Sequence, residues 1–199
     1  MKTLVCHGDS LTEASDLDDP AIWPSLVEDR LKIKVLNSGI GGDTTAGLLS
    51  RFYHDVVRHR PDYVLIMGGT NDLWWDLDVK LIQANIFTMT CQAEHHNIVP
   101  LVGLPIPMIV ERARNQDFMA PQSGYKKCGE KLAVLVKRLT VLAQQNDIAC
   151  LDFYHPFCDD SGAVEEKYLL EDGLHPNNAG HHLMAQKTVE LLQSLFNFS

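Results

Sequence analysis

The sequence predicts an α/β fold in which helices cover both faces of a five-stranded parallel sheet. Three observations carry this. Five short apolar runs recur along the chain. Each is hydrophobic continuously rather than at every second residue. Each is followed by a stretch with helical periodicity. Continuous hydrophobicity belongs to strands buried on both faces, as in parallel sheets. Strand–helix alternation repeated five times implies crossover helices on both sides of one sheet.

The first run, residues 3–6, ends at His7-Gly8. A helix over 22–31 follows, with Ile22, Trp23, Leu26, Val27 and Leu31 near helical spacing. The second run, 33–36, ends at Asn37-Ser38-Gly39, and a helix over 44–59 carries Leu48, Leu49, Phe52, Val56 and Val57. The third, 63–67, ends at Gly68-Gly69 and precedes a helix over 79–95. The fourth, 98–104, ends at Pro105. An irregular segment of about 105–124 separates it from a helix over 125–145. The fifth, 148–151, ends at Asp152, and a last helix covers 178–196. A loop as long as 105–124 in a compact domain is either a functional flap or a surface insertion.

The chain has 199 residues, 45% hydrophobic and 22% charged. This suits one globular domain over 1–199 with a full core. A net charge of −9 repels phosphate backbones, so nucleic acid is not an expected partner. Five cysteines, odd in number and without CxxC spacing, do not make a disulfide framework or a zinc ribbon. The N-terminus lacks the apolar run of a secretory signal, and no stretch reaches membrane-spanning length. A cytoplasmic protein without a membrane anchor is expected. His95-His96 and His181-His182 are adjacent pairs, whose side chains diverge on a helix, so no metal site is expected. The Gly39–Thr44 stretch has neither the lysine of a phosphate loop nor dinucleotide spacing. No cofactor is expected either.

Four polar clusters follow predicted strands or precede the last helix: His7–Leu11, Gly39–Thr44, Gly68–Asp72 and Asp172–Asn177. In open parallel sheets, ligands bind at the carboxyl ends of strands. An alcohol nucleophile needs a base, an orienter for that base, and donors where carbonyl charge develops. Ser10 offers the hydroxyl. His175 offers an imidazole, and Asp172, three residues earlier, can face it across one turn. Candidate donors are the Gly42 amide near a helix start, the Asn71 side chain and the Ser10 amide. Asp43 reads as a helix N-cap, and Asp9 as an organiser of the Ser10 loop.

These blocks resemble the GDSL, or SGNH, hydrolase family. Gly8-Asp9-Ser10-Leu11 matches its first block, Gly42 its second, Asn71 its third, and Asp172 with His175 its last, in family order. The sequence departs from many members at Ala14, where they have glycine. The resemblance implies a flavodoxin-like three-layer fold and hydrolysis of esters or thioesters through an acyl-enzyme. It also implies a Ser10–His175–Asp172 triad, with an oxyanion hole of Ser10, Gly42 and Asn71.

Trp74 and Trp75 follow the third block and either wall an acyl pocket or anchor the next helix. Met108, Phe118 and Met119 in the long segment would form the opposite wall. The expected partner is a small-molecule ester or thioester. Two other readings remain: acyl transfer to, or deacetylation of, a carbohydrate, and a non-catalytic flavodoxin-like module holding a flavin or nucleotide.

Overall fold

The computed structural model describes residues 1–14, 21–114 and 119–196, the side chain of Phe196 excepted. Five strands form one parallel sheet: β1 (Thr3–Gly8), β2 (Lys34–Gly39), β3 (Tyr63–Met67), β4 (Val99–Leu104) and β5 (Ala149–Asp152). Their order is β2-β1-β3-β4-β5, the flavodoxin-like arrangement. The helices are α1 (Ser10–Glu13), α2 (Trp23–Leu31), α3 (Thr45–Asp55), α4 (Thr70–Trp74), α5 (Val79–His95), α6 (Val110–Ala113), α7 (Tyr125–Gln145) and α8 (Asn178–Phe196).

Alternate strand residues feed two separate cores. Val5, Val64, Ile66 and Val102 pack with Leu48, Ile82, Ile86, Leu132 and Leu135, under α3, α5 and α7. Leu4, Cys6, Leu65, Leu101 and Leu151 pack on the opposite face with Trp23, Val27, Met184 and Leu192 from α2 and α8. The sheet is thus the middle of three layers, and its continuous hydrophobicity follows from having no water-facing side.

Register positions the site. Gly8 pairs with both Gly39 and Met67. The chain therefore leaves β1, β2 and β3 at one level, and the first three polar clusters emerge side by side. β1 is where the strand order reverses, the crevice in which such sheets bind ligands.

Several boundaries differ from the expectation. Ladder bonds carry β1 through His7 and Gly8, and β2 through Asn37, Ser38 and Gly39, past the apolar runs. The helix expected over 44–59 stops at Asp55 and continues as a 3-10 turn, Val57–His59. Its cap is Thr44, whose hydroxyl accepts from the Gly47 amide. The Asp43 carboxylate, expected to cap, instead takes the Arg51 guanidinium at 2.8 Å. The described part of the segment 105–124 carries one short helix, α6.

Ala14 closes α1 in the left-handed conformation, at φ 56 and ψ 39, with its amide on the Ser10 carbonyl. That conformation costs a residue with a Cβ about 1–2 kcal/mol. Glycine's extra freedom in the unfolded chain offsets about 0.5–1 kcal/mol of the gain. Ala14→Gly is therefore expected to stabilise the protein by about 0.5–1 kcal/mol, as a higher urea midpoint at unchanged m-value. A lower midpoint would contradict it.

Candidate active site

The four clusters meet at a cavity of about 410 Å³. Ser10 is the first residue of α1, directly beyond β1. The Asp9 side chain caps this helix, accepting from the Leu11 amide at 3.0 Å. The capping role thus falls to Asp9, and the Ser10 hydroxyl is left to face His175. His175 Nε2 lies 3.0 Å from Ser10 Oγ, and its Nδ1 lies 2.6 Å from Asp172 Oδ2. The other oxygen, Asp172 Oδ1, accepts from the Leu174 and His175 amides at 2.8 and 3.0 Å. Burial alone would raise the Asp172 pKa, but the bonds from the His175 ring and these two amides outweigh it and hold it below the usual range. The carboxylate stays charged and fixes which imidazole nitrogen bears the proton.

The candidate donors share that cavity. Gly42 sits at φ 76, a left-handed conformation that favours glycine, and a Cβ there would point into open space. Neither its amide nor that of Ser10 has an acceptor among the described residues. Asn71 Nδ2 donates one hydrogen to the Asp43 carbonyl at 2.9 Å. This bond fixes the amide's orientation and leaves the second Nδ2 hydrogen for the cavity. The next residue, Asp72, accepts from the Thr45 amide at 2.8 Å and the Thr45 hydroxyl at 2.6 Å. Consecutive residues of α4 thereby bolt the third cluster to the second. Arg51 braces the same loop from behind, binding Asp43, Asp55 and the Gly8 and Ser38 carbonyls. Sequence spacing gave no signal for Arg51, because its partners meet only in the folded sheet.

The expected pocket residues separate. Trp74 lines the cavity and, through Nε1, donates to the Met119 carbonyl at 2.6 Å; Met119 lines it too. Leu11 and Leu174 complete the apolar wall. Trp75 is half-exposed outside the lining. Met108 also lies off the lining, buried in the core cluster that includes Leu132 and Leu135 of α7. Phe118 lies outside the described residues.

A second Asp–x–x–His turn reproduces the first. Asp152 Oδ1 accepts the Tyr154 and His155 amides at 2.9 and 3.0 Å, and Oδ2 meets His155 Nδ1 at 2.7 Å. No serine faces this imidazole among the described residues, and its side chain is 68% exposed. The spacing alone makes an oriented imidazole; the position opposite Ser10 distinguishes His175.

Three buried groups couple folding to pH. Burial lowers His7, against Leu48, and His181, which accepts the Trp23 amide, each to about 4. Complete burial raises Asp9 to about 7 despite the Leu11 bond. Between about pH 4 and 6.5 the unfolded chain holds up to two more protons on the histidines, and the folded chain up to one more on Asp9. For these three groups unfolding thus takes up about one net proton; burial also raises Asp72, which works against that uptake at the acid end. Stability from these groups falls as pH drops through that window, by about 1.4 kcal/mol per unit. Urea midpoints measured from pH 7 to 4.5 check this; a rise on acidification would contradict it.

The fold and the relatives define the class, a hydrolase of α/β fold that cleaves esters. The GDSL-like Lipase/Acylhydrolase family model matches residues 6–183, and the chain belongs to that family. It is similar to "Thioesterase 1/protease 1/lysophospholipase L1" of Escherichia coli K12, 27% identical over 98% of this chain and 85% of the relative. It is also similar to an acetylxylan esterase of Geobacillus stearothermophilus, 28% identical over 83% of this chain and 73% of the relative. The crystal structure of a lipase/acylhydrolase from Enterococcus faecalis shares the fold. Its TM-score is 0.80 at 23% identity, covering 98% and 96% of the two chains.

Proposed function

We propose that the protein hydrolyses carboxylic esters or thioesters through an acyl-enzyme on Ser10. His175 takes the Ser10 proton as the oxygen attacks the acyl carbonyl, and Asp172 stabilises the imidazolium. The Ser10 and Gly42 amides and the free Asn71 hydrogen bind the developing oxyanion. His175 then protonates the leaving oxygen or sulfur. In the second half it deprotonates water, which attacks the acyl group and releases the acid. The observation that carries this reading is the unbroken chain Asp172–His175–Ser10, at 2.6 and 3.0 Å, ending in a cavity. Leu11, Trp74, Met119 and Leu174 suit the acyl half.

We read the chain as one domain over 1–199, because both cores are built on one sheet. A reducing, cytoplasmic setting fits five unpaired cysteines. No helix among the described residues is long and apolar enough to cross a membrane.

A fluorophosphonate probe tests the assignment. It should add one mass increment to the wild type, on the peptide containing Ser10, and none to Ser10→Ala. An acyl-chain series of p-nitrophenyl esters run alongside should lose turnover in step with labelling. Labelling at another serine, with Ser10 unmodified, would sink the reading.

A further inference from the structure

The last residue of α1 reaches the donor loop. Glu13 Oε2 accepts the Gly41 amide at 2.8 Å, beside Gly42. The room is made by two missing side chains. A Cβ on Gly39 would lie 2.1 Å from the Glu13 nitrogen, and one on Gly41 would lie 2.8 Å from Oε2 and 3.9 Å from Ser10 Cβ. The carboxylate therefore stands within one residue's width of the nucleophile. Its other oxygen, Oε1, has no protein partner among the described residues.

The charge around it has one sign. Asp9, Glu13 and Asp172 line the cavity, with no lysine or arginine among the described lining residues. Asp9 is fully buried and Asp172 is engaged by His175, so Glu13 carries the outward charge. Nearby cations are committed elsewhere. Arg51 is held by Asp43 and Asp55, Arg112 by Glu166 and Lys131 by Asp76, while Arg114 lies over the Tyr125 ring. Residues 15–20 and 115–118, outside the description, contain four aspartates and neither lysine nor arginine.

We propose that Glu13 sets the leaving-group selectivity of this site, so that it takes esters and thioesters whose alcohol or thiol half carries no negative charge and rejects phosphate- or sulfonate-bearing ones. The inference rests on the Ser10 reading above. The Gly41 bond holds the carboxylate in place beside the emerging alcohol or thiol, and Oε1, without a partner among the described residues, would accept from a neutral polar leaving group. A negative charge about 8 Å away is disfavoured about 2- to 30-fold in kcat/KM, between the limits of bulk water and protein-surface screening.

Three butyryl thioesters with the same two-carbon stem give the test: those of thiocholine, 2-mercaptoethanol and 2-mercaptoethanesulfonate, followed by released thiol. Wild type should turn over the cationic and neutral substrates at least twofold better than the sulfonate at low salt. The gap should narrow as salt screens it. Glu13→Gln keeps an acceptor for the Gly41 amide and removes the charge. Its sulfonate-to-neutral ratio should approach one, whatever happens to the absolute rates. A wild-type ratio near one at low salt, or an unequal ratio that neither salt nor Glu13→Gln changes, overturns the proposal. Ser10→Ala separates the two readings. Loss of all three activities with an unbiased wild-type ratio rejects only the Glu13 assignment, whereas persistence of all three rejects the nucleophile.

Discussion

Ser10→Ala is expected to lower kcat/KM for short-chain esters by about 10⁴- to 10⁶-fold while the fold and its stability persist. The size follows from the proposed mechanism. Without the oxygen there is no acyl-enzyme, so His175 has nothing to deprotonate but water. The proposed donors and the cavity would still bind the ester and support the residual rate over solution. The change itself is small and lies in a half-buried position at the start of α1, where Asp9, not Ser10, makes the capping bond. Urea unfolding should move by less than about 1 kcal/mol. Rates for wild type and variant on p-nitrophenyl butyrate, with unfolding midpoints beside them, decide it. A loss below tenfold would move the chemistry away from Ser10.

Asp172→Asn is expected to cost about 10³- to 10⁴-fold in kcat with a much smaller change in KM. An amide can still accept from the Leu174 and His175 backbones, so the turn survives. It cannot stabilise the imidazolium, and it can present its NH₂ to Nδ1, selecting the tautomer that carries its hydrogen on Nε2. That tautomer cannot take the Ser10 proton. The second turn supplies the control. Asp152 binds His155 in the same pattern, and Asp152→Asn should leave kcat unchanged. Equal losses at the two positions would mean that the effect is structural and that the oriented imidazole opposite Ser10 has no special part.

That duplicated turn also shows what the sequence could and could not reveal. An aspartate three residues before a histidine reads as an oriented pair because the turn chemistry is local, and both pairs form. Only tertiary structure brings one of them to Ser10. The five strands were legible because a sheet covered on both faces leaves continuous apolar runs. Their last residues were not, since β1 and β2 extend through His7, Gly8 and Asn37–Gly39 on ladder bonds that polar side chains do not prevent. The short helices α1 and α4 were missed because four or five residues show no periodicity. Apolar residues near the site were ambiguous for a different reason. Trp74 and Met108 have the same character in the sequence, and only their placement puts one at the cavity and the other in the core. Asp43 capped nothing because Arg51, eight residues on, competes for its carboxylate. Glu13 gave no signal at all, since its partner loop comes from another strand.

Trp74 belongs to α4, the helix that presents Asn71, yet its ring holds the Met119 carbonyl and its own carbonyl takes the Gln122 amide. The segment that carries Met119 is therefore tied to two of the clusters, at Trp74 and, through the Ile109 amide on the Gly173 carbonyl, at the Asp172–His175 turn, while its described residues supply none of the proposed charge-handling groups. In the proposed reading, Leu11, Glu13, Trp74 and Leu174 come from the same short stretches as Ser10, Asn71 and His175, and Met119 alone of the named wall comes from a separate stretch. Exchange of that stretch would remake one side of the wall and leave the proposed reacting groups in place, provided that its ties at Trp74 and Gly173 are kept.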